Sequence, residues 1–159
     1  MEINLNRRKF VKYNSNAVLL AKMVAIGFFS NNQVTASTWK KDWFSTITLN
    51  ETMKVMGVKD VTQSDKIIIS APDTAENGAY VGVGVLTEIP EVEMIALLVE
   101  NNPIMLAGYF KFSSKVMPNI STKVKMAESS NIISIIKTKN ENYLMAKRPV
   151  NVTIGGCGS

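Results

Sequence analysis

The sequence predicts a small all-β sandwich, preceded by one helix and followed by a short glycine-rich tail. Three observations lead to this prediction. From residue 66 onward, short runs of β-forming residues are separated by turn residues at the spacing of a small sandwich. Before residue 58, apolar residues recur at helical spacing, and after residue 154 the side chains that could pack in a core come to an end.

The first element is expected to be a helix over residues 37–58. Gly57 is expected to end it, and its tryptophans to anchor it on the core. Its apolar residues recur at about helical spacing, namely Trp39, Trp43, Phe44, Ile47, Met53 and Val55 or Met56.

Seven or eight strands are expected to follow, because one of the runs contains two strands joined by a hairpin. Alternation indicates which face of a strand is exposed to solvent. Val81, Val83 and Val85 alternate with glycines, and Lys123 and Lys125 are expected on a solvated face. Segments rich in proline, asparagine, aspartate and glycine separate the runs. The expected strands are residues 66–70, 80–86, 94–99, 106–112, 121–126, 132–137 with 142–147, and 150–154.

The N-terminal segment is typical of a twin-arginine export signal. Arg7 and Arg8 are the paired arginines, an apolar run covers residues 17–29, and Val34-Thr35-Ala36 offers a cleavage site before residue 37. The apolar run is shorter than the roughly 20 residues of a membrane span. The alternative is an amphipathic helix that stays attached. We therefore expect a signal peptide at 1–36, a domain at 37–154 and a flexible tail at 155–159, with export to a bacterial periplasm.

Charge argues against nucleic acid as a partner. Residues 1–36 hold five basic residues and one acid, so their removal lowers the formal net charge from +5 to +1. The remaining lysines are scattered and are not interleaved with aromatic residues, as a nucleic-acid footprint would require.

The single cysteine, Cys157, lies among Gly155, Gly156 and Gly158. A buried thiol needs apolar neighbours, which glycines do not supply, so we expect a sulfur atom on a flexible tether that enters a partner's pocket. One cysteine cannot form an internal disulfide. It must be free, paired with another molecule or chemically loaded.

The sequence contains no histidine, which excludes the common nucleophile–base pairs and nearly all zinc, iron–sulfur and copper sites. Asp73 and Glu76 are assigned to turn hydrogen bonds, not to acid–base catalysis. An ordinary thiol is mostly protonated at neutral pH and here lacks a base. We therefore expect no catalytic residue, no metal site and no cofactor in this chain, but a covalent carrier on which partner enzymes act.

The export signal, the segment at 66–79 and the tail together resemble SoxY, the sulfur-carrying family of periplasmic thiosulfate oxidation. The resemblance covers nearly all of the chain after residue 36. It continues through residues 95–103, 110–112 and 121–126 and into 152–158, where Gly-Gly-Cys-Gly is specific in its context. One residue departs from the family pattern, because Ser159 replaces the usual final glycine. We expect this change to affect the efficiency of docking more than the role.

The resemblance implies an immunoglobulin-like sandwich that forms a heterodimer with SoxZ. It implies that the haem enzyme SoxAX joins thiosulfate to Cys157, that the dimanganese hydrolase SoxB releases sulfate, and that SoxCD, where present, oxidises the remaining sulfur. The cofactors belong to those partners. Two alternatives remain at this point: an immunoglobulin-like binding module whose cysteine links a dimer, and a thiol redox enzyme.

Overall fold

The computed structural model describes residues 40–153. They form a 3-10 helix at Lys41–Ser45, an α-helix, α1, at Leu49–Met56, and nine strands. The strands are β1 Thr62–Gln63, β2 Ile67–Ser70, β3 Thr74–Ala75, β4 Val81–Thr87, β5 Val92–Val99, β6 Leu106–Lys111, β7 Asn119–Val124, β8 Ser130–Thr138 and β9 Tyr143–Val152. The all-β prediction is confirmed.

Two sheets build the sandwich. The larger sheet has the order β1-β9-β8-β5-β6, with β3 added to β9, and the smaller has the order β2-β4-β7. The pairs within the main body are antiparallel, whereas β1 and β3 run parallel to β9. Apolar side chains from both sheets meet between them, among them Val83, Val85, Leu97 and Ile132. This inter-sheet core is the main reason the two layers stay together.

A second core, which we call the helix-side core, covers the other face of the larger sheet. Met56 of α1 packs there with Leu98, Ile133 and Ile135. Strand β5 is therefore buried on both faces and reads as a nearly continuous apolar run.

The helix predicted over residues 37–58 is wrong in extent. Thr46 is extended, and Thr48 caps α1 by accepting a hydrogen bond from the backbone N–H of Glu51 at 3.2 Å. The buried Thr46 hydroxyl contacts the Thr52 hydroxyl at 2.6 Å, which fixes the break between the two helices. Ile47 falls in this break and is 63% exposed. Residues 37–39 lie outside the described residues.

The end of α1 is as predicted, because Gly57 adopts φ = 76° and ends the helix. The anchoring of Trp43 is also confirmed. Its ring meets that of Tyr109 edge-on, with the centroids 5.2 Å apart, and it packs on the helix-side core.

The strands predicted at 142–147 and 150–154 form one strand, β9, which ends at Val152, and residue 154 lies outside the described residues. Pro149 lies within this strand. Strand β8 pairs with β9 on one side, whereas on the other side β1 and β3 pair with it only at residues 144–145 and 151–152. Pro149 has no backbone N–H, but it lies between these two short pairings, where no strand requires one. The alternation predicted at residues 81–85 and 123–126 is confirmed: Val81, Val83 and Val85 are buried, and Lys123 and Lys125 are exposed.

Candidate functional site

The predicted site residues lie at the two ends of the chain. Cys157, Gly155, Gly156 and Gly158 follow residue 153, and Arg7 and Arg8 precede residue 40, so all six lie outside the described residues. The structure does describe the point from which the Gly-Gly-Cys segment starts. We call this point the tail root and define it as residues 73–76, Ser129 and 151–153.

Within the tail root, strand β3 holds the end of β9 from one side. It runs parallel to the end of β9, with Thr74 opposite Asn151 and Ala75 opposite Val152. The backbone N–H of Asn151 donates to the carbonyl of Asp73 at 2.9 Å, and that of Thr153 donates to the carbonyl of Ala75 at 3.1 Å. The Thr153 hydroxyl donates to the carbonyl of Glu76 at 3.1 Å. Thr153 is therefore held by its backbone and its side chain.

Ser129 holds the end of β9 from the other side. Its hydroxyl oxygen accepts a hydrogen bond from the backbone N–H of Val152 at 2.8 Å and lies 3.4 Å from the carbonyl oxygen of the same residue. The three successive N–H groups of Asn151, Val152 and Thr153 thus all have acceptors. An exposed strand end normally frays, but these hydrogen bonds hold residues 151–153 on the sandwich. They therefore fix the position from which the chain continues after residue 153.

Arg148 is paired with Asp73 at the flank of the tail root. A guanidinium Nη2 of Arg148 contacts Oδ1 of Asp73, whose side chain is 87% exposed. The turn hydrogen bond predicted for the Asp73 side chain is wrong, because its carboxylate pairs with Arg148 and its carbonyl accepts from Asn151 of the neighbouring strand.

A second polar group lies on the larger sheet at the same end of the sandwich. The Asn131 side-chain amide donates to Glu100 at 2.6 Å, and the ammonium of Lys147 is 3.4 Å from the other oxygen of that carboxylate. The hydrogen bond from Asn131, helped by Lys147, holds the pKa of Glu100 below its usual value. A carboxylate held ionised in this way is a structural partner and a poor proton donor at neutral pH.

Covalent geometry limits how far the cysteine can travel. An extended chain advances at most about 3.6 Å per residue, so the Cα of Cys157 stays within about 14 Å of the Cα of Thr153. Cargo on this thiol would therefore remain close to the tail root. Any enzyme that acts on it must approach this end of the sandwich.

A groove among the described residues lies elsewhere on the sandwich. It measures about 790 Å³ and is lined by residues such as Glu91, Glu141 and Tyr143, at the start of β9. Strand β9 spans ten residues at about 3.3 Å each, so this groove is roughly 30 Å from the tail root. Cys157 cannot reach it.

Residues 40–153 contain no cluster of three or more side chains with metal-ligating chemistry. Within the same range, no helix has the length and apolar character needed to cross a membrane.

Three features of the site were missed by reasoning from sequence, namely the parallel strand β3, the Ser129 contact and the Arg148–Asp73 pair. The first two are backbone-directed contacts that leave no residue pattern. The sequence does single out the arginine of the third feature, because Arg148 is the only arginine after residue 8.

Comparison with known proteins finds a matching family model and similar solved structures. A family model described as sulfur oxidation protein SoxY matches residues 52–157, which include Gly155, Gly156 and Cys157. The sulfur carrier protein SoxY from Chlorobium limicola f thiosulfatophilum is 29% identical, with a TM-score of 0.62, over 67% of this chain and 97% of that one. No curated protein shows significant sequence similarity to this chain.

The superoxide reductase (neelaredoxin) from Ignicoccus hospitalis is also similar in structure. Its TM-score is 0.52 at 16% identity, over 58% of this chain and 94% of that one. At this identity the likeness concerns the fold alone.

The fold, and a match that extends through the Gly-Gly-Cys segment, together define the class: this is a β-sandwich sulfur oxidation protein. The match spans two thirds of the sequence, and the solved carrier aligns over almost its full length. The chain belongs to the SoxY family.

Proposed function

We propose that this protein is a covalent carrier of sulfur intermediates, with Cys157 as the attachment residue. The observation that supports this most directly is the SoxY family match, which runs through Cys157 itself. The tail root adds a physical reason, because a fastened strand end presents the following segment at one defined place on the sandwich.

The loading step joins the thiol of Cys157 to thiosulfate. The thiol loses its proton, the thiosulfate sulfur bonds to the cysteine sulfur, and two electrons leave to the haem enzyme SoxAX. The product is a cysteine S-thiosulfonate with one negative charge. In this proposal the oxidising group belongs to SoxAX.

The release step is a hydrolysis. Water attacks the terminal sulfonate, sulfate leaves, and a persulfide remains on Cys157. SoxB catalyses this step in our proposal. Where SoxCD is present, it takes six electrons from the persulfide sulfur while three waters supply the oxygens of a new sulfonate, which SoxB then hydrolyses to sulfate and the free thiol. The chain itself supplies no catalytic residue in this scheme, only the sulfur and the segment that carries it.

The remaining roles follow from the same proposal. The sandwich pairs with SoxZ, and the folded pair is exported to the periplasm through the twin-arginine signal of Arg7 and Arg8. Gly155, Gly156 and Gly158 lack side chains, so the segment can enter the narrow channels of several enzymes. Residues 1–36 are the signal, 37–154 the immunoglobulin-like domain and 155–159 the carrier tail.

Reconstituted thiosulfate oxidation tests the attachment residue. Replacing Cys157→Ser removes the only thiol, so oxidation should fall to the level measured without this protein. Ser159→Gly is the matched control, since it changes the same segment and should leave the rate unchanged or raise it. Full oxidation with the Cys157→Ser protein would refute the proposal.

A further inference from the structure

The outward side of the smaller sheet is left uncovered by residues 40–153. The larger sheet is buried on both sides, by the inter-sheet core and by the helix-side core. On the smaller sheet, in contrast, side chains that point away from the inter-sheet core are open to solvent, with Ile68 58% exposed and Leu86 42% exposed. We call this surface the bare face and define it as Ile68, Ser70, Gly82, Gly84, Leu86 and Lys123.

Two glycines lie in the middle of the bare face, at alternate positions of the central strand β4. Neither has a positive φ, so the backbone does not require glycine there. A Cβ atom at Gly82 would meet nothing within 4 Å, and one at Gly84 would make only ordinary contacts of 3.5 Å. Packing within the chain therefore does not require these glycines either.

A glycine inside a strand weakens it, and it commonly marks a bulge, a bend or a place where another molecule approaches closely. Strand β4 pairs in unbroken register with both β2 and β7, so Gly82 and Gly84 do not lie at a bulge. Close approach from outside the chain is the explanation that remains.

The bare face is complementary to itself in shape. Leu86 lies two residues to one side of Gly84 on β4, and Gly82 lies two residues to the other side. A twofold axis between two copies, perpendicular to β4 and level with Gly84, places Leu86 of each copy opposite Gly82 of the other. The exposed leucine side chain then enters the space that a side chain at position 82 would occupy. A groove of about 560 Å³ is already present there, lined by Gly82, Gly84 and their neighbours.

The charges at the two ends of the bare face match under the same axis. Lys123 pairs in register with Gly82, and its Nζ lies over the ring of Tyr80, 6.0 Å from the ring centroid. Glu88 is exposed at the opposite end of β4. Since Tyr80 and Glu88 are each four residues from Gly84, the axis brings Glu88 of one copy opposite the Tyr80–Lys123 pair of the other. Neither Lys123 nor Glu88 has an ion-pair partner within residues 40–153.

We propose that a second copy of this chain covers the bare face, in a twofold dimer in which the two β4 strands run antiparallel. Leu86 fills the gap at Gly82 and Lys123 pairs with Glu88, and each contact occurs twice. The face measures roughly 14 by 23 Å, from three strands about 4.8 Å apart and seven residues of about 3.3 Å each. Two such faces bury less than the roughly 1,200 Å² of a stable interface, so the dimer dissociates readily. The inference concerns assembly and does not rest on the proposed function, in which SoxZ then binds another side of the sandwich.

Sedimentation velocity of the full chain over a wide range of concentrations tests the shape of the interface. The protein is kept reduced, so that Cys157 cannot link two chains. Gly82→Val should lower the association constant about tenfold, because its side chain fills the gap that Leu86 of the other copy enters. Valine suits a strand, and a Cβ at this position meets nothing in its own chain, so the variant should fold. Gly108→Val on β6 is the matched control, since a Cβ there also meets nothing within 4 Å, and it should leave association unchanged.

Charge reversal tests the pairing of the two ends. Lys123→Glu alone and Glu88→Lys alone should each weaken association about fivefold, because like charges then meet twice in the dimer. An equimolar mixture of the two variants should associate more tightly than either alone, since both pairs of the mixed dimer again join opposite charges. Added salt should weaken the mixed dimer. Lys111→Glu, at an exposed lysine of β6, is the control for net charge and should have no such effect.

A chain that stays monomeric at every concentration overturns the inference. So does a dimer that Gly82→Val leaves intact, or a mixture of the two charge variants that associates no better than either one alone. If the wild-type chain is monomeric and Gly82→Val weakens its binding to SoxZ, then SoxZ covers the bare face and the inference fails. The carrier role is untouched in each case, because loading of Cys157 does not depend on the bare face.

Discussion

Replacing Ser129→Ala should loosen the tail root without unfolding the sandwich. The change removes the acceptor of the Val152 N–H, a hydrogen bond of 2.8 Å at an exposed site. Water can replace the lost partner there, so the expected loss is that of a net hydrogen bond, about 1 kcal/mol. The hydrogen bonds of Asn151 and Thr153 remain. The expected effect is therefore local.

Amide hydrogen exchange measures this effect directly. A loss of about 1.4 kcal/mol corresponds to a tenfold change in an opening equilibrium, so about 1 kcal/mol should speed exchange of the Val152 amide roughly fivefold. Exchange at Leu98, a fully buried residue of β5, should not change. Ser130→Ala is the matched control, because the hydroxyl of Ser130 is buried without a hydrogen-bond partner among the described residues. Equal exchange at Val152 in the two variants would show that Ser129 does not fasten the strand end.

Two further predictions concern the scaffold. The hydrogen bond to Glu141, aided by Glu93, raises the pKa of Lys137 to about 12 from its ordinary 10.5. A raised pKa means that the folded state holds the proton more tightly, so this contribution is complete below pH 10.5 and is lost as the pH rises towards 12. Melting temperatures across that window should fall less steeply for Lys137→Gln than for the wild type, and parallel curves would contradict the assignment. Separately, Gly57→Ala should lower the free energy of unfolding by about 1 kcal/mol, because φ = 76° strains any side chain although nothing lies within 4 Å. Urea denaturation should detect this loss, whereas Gly82→Ala, at a position equally open but without a positive φ, should be close to neutral; equal losses would contradict the argument from φ.

The fold could be predicted from sequence because short β-type runs are separated by turn residues and some of these runs alternate clearly. Strand β4 shows the alternation of valine with glycine, and its three valines are buried as expected. The extent of β9 could not be predicted, since Pro149 ordinarily argues against a continuous strand. It is tolerated only because the neighbouring positions on that side of β9 are unpaired, which is a property of the assembled sheet.

The same reasoning applies to the helical segment and to the site. The apolar spacing around Trp43 and Met53 suggested one helix, but the buried contact between Thr46 and Thr52 breaks it, and such a contact depends on tertiary packing. Cys157 could be singled out from composition alone, as the one thiol in the chain. The tail root could not, because its bonds join residues that are up to 77 positions apart.

The carrier role is tested most directly by the intact mass of the protein from the periplasm of thiosulfate-grown cells. The mass is taken before and after reduction, and any addition is mapped to a peptide. The account predicts reducible additions that match thiosulfonate or sulfane sulfur on the peptide that contains Cys157. A bare thiol under all conditions, or a doubled mass from a cysteine-linked dimer, would contradict it.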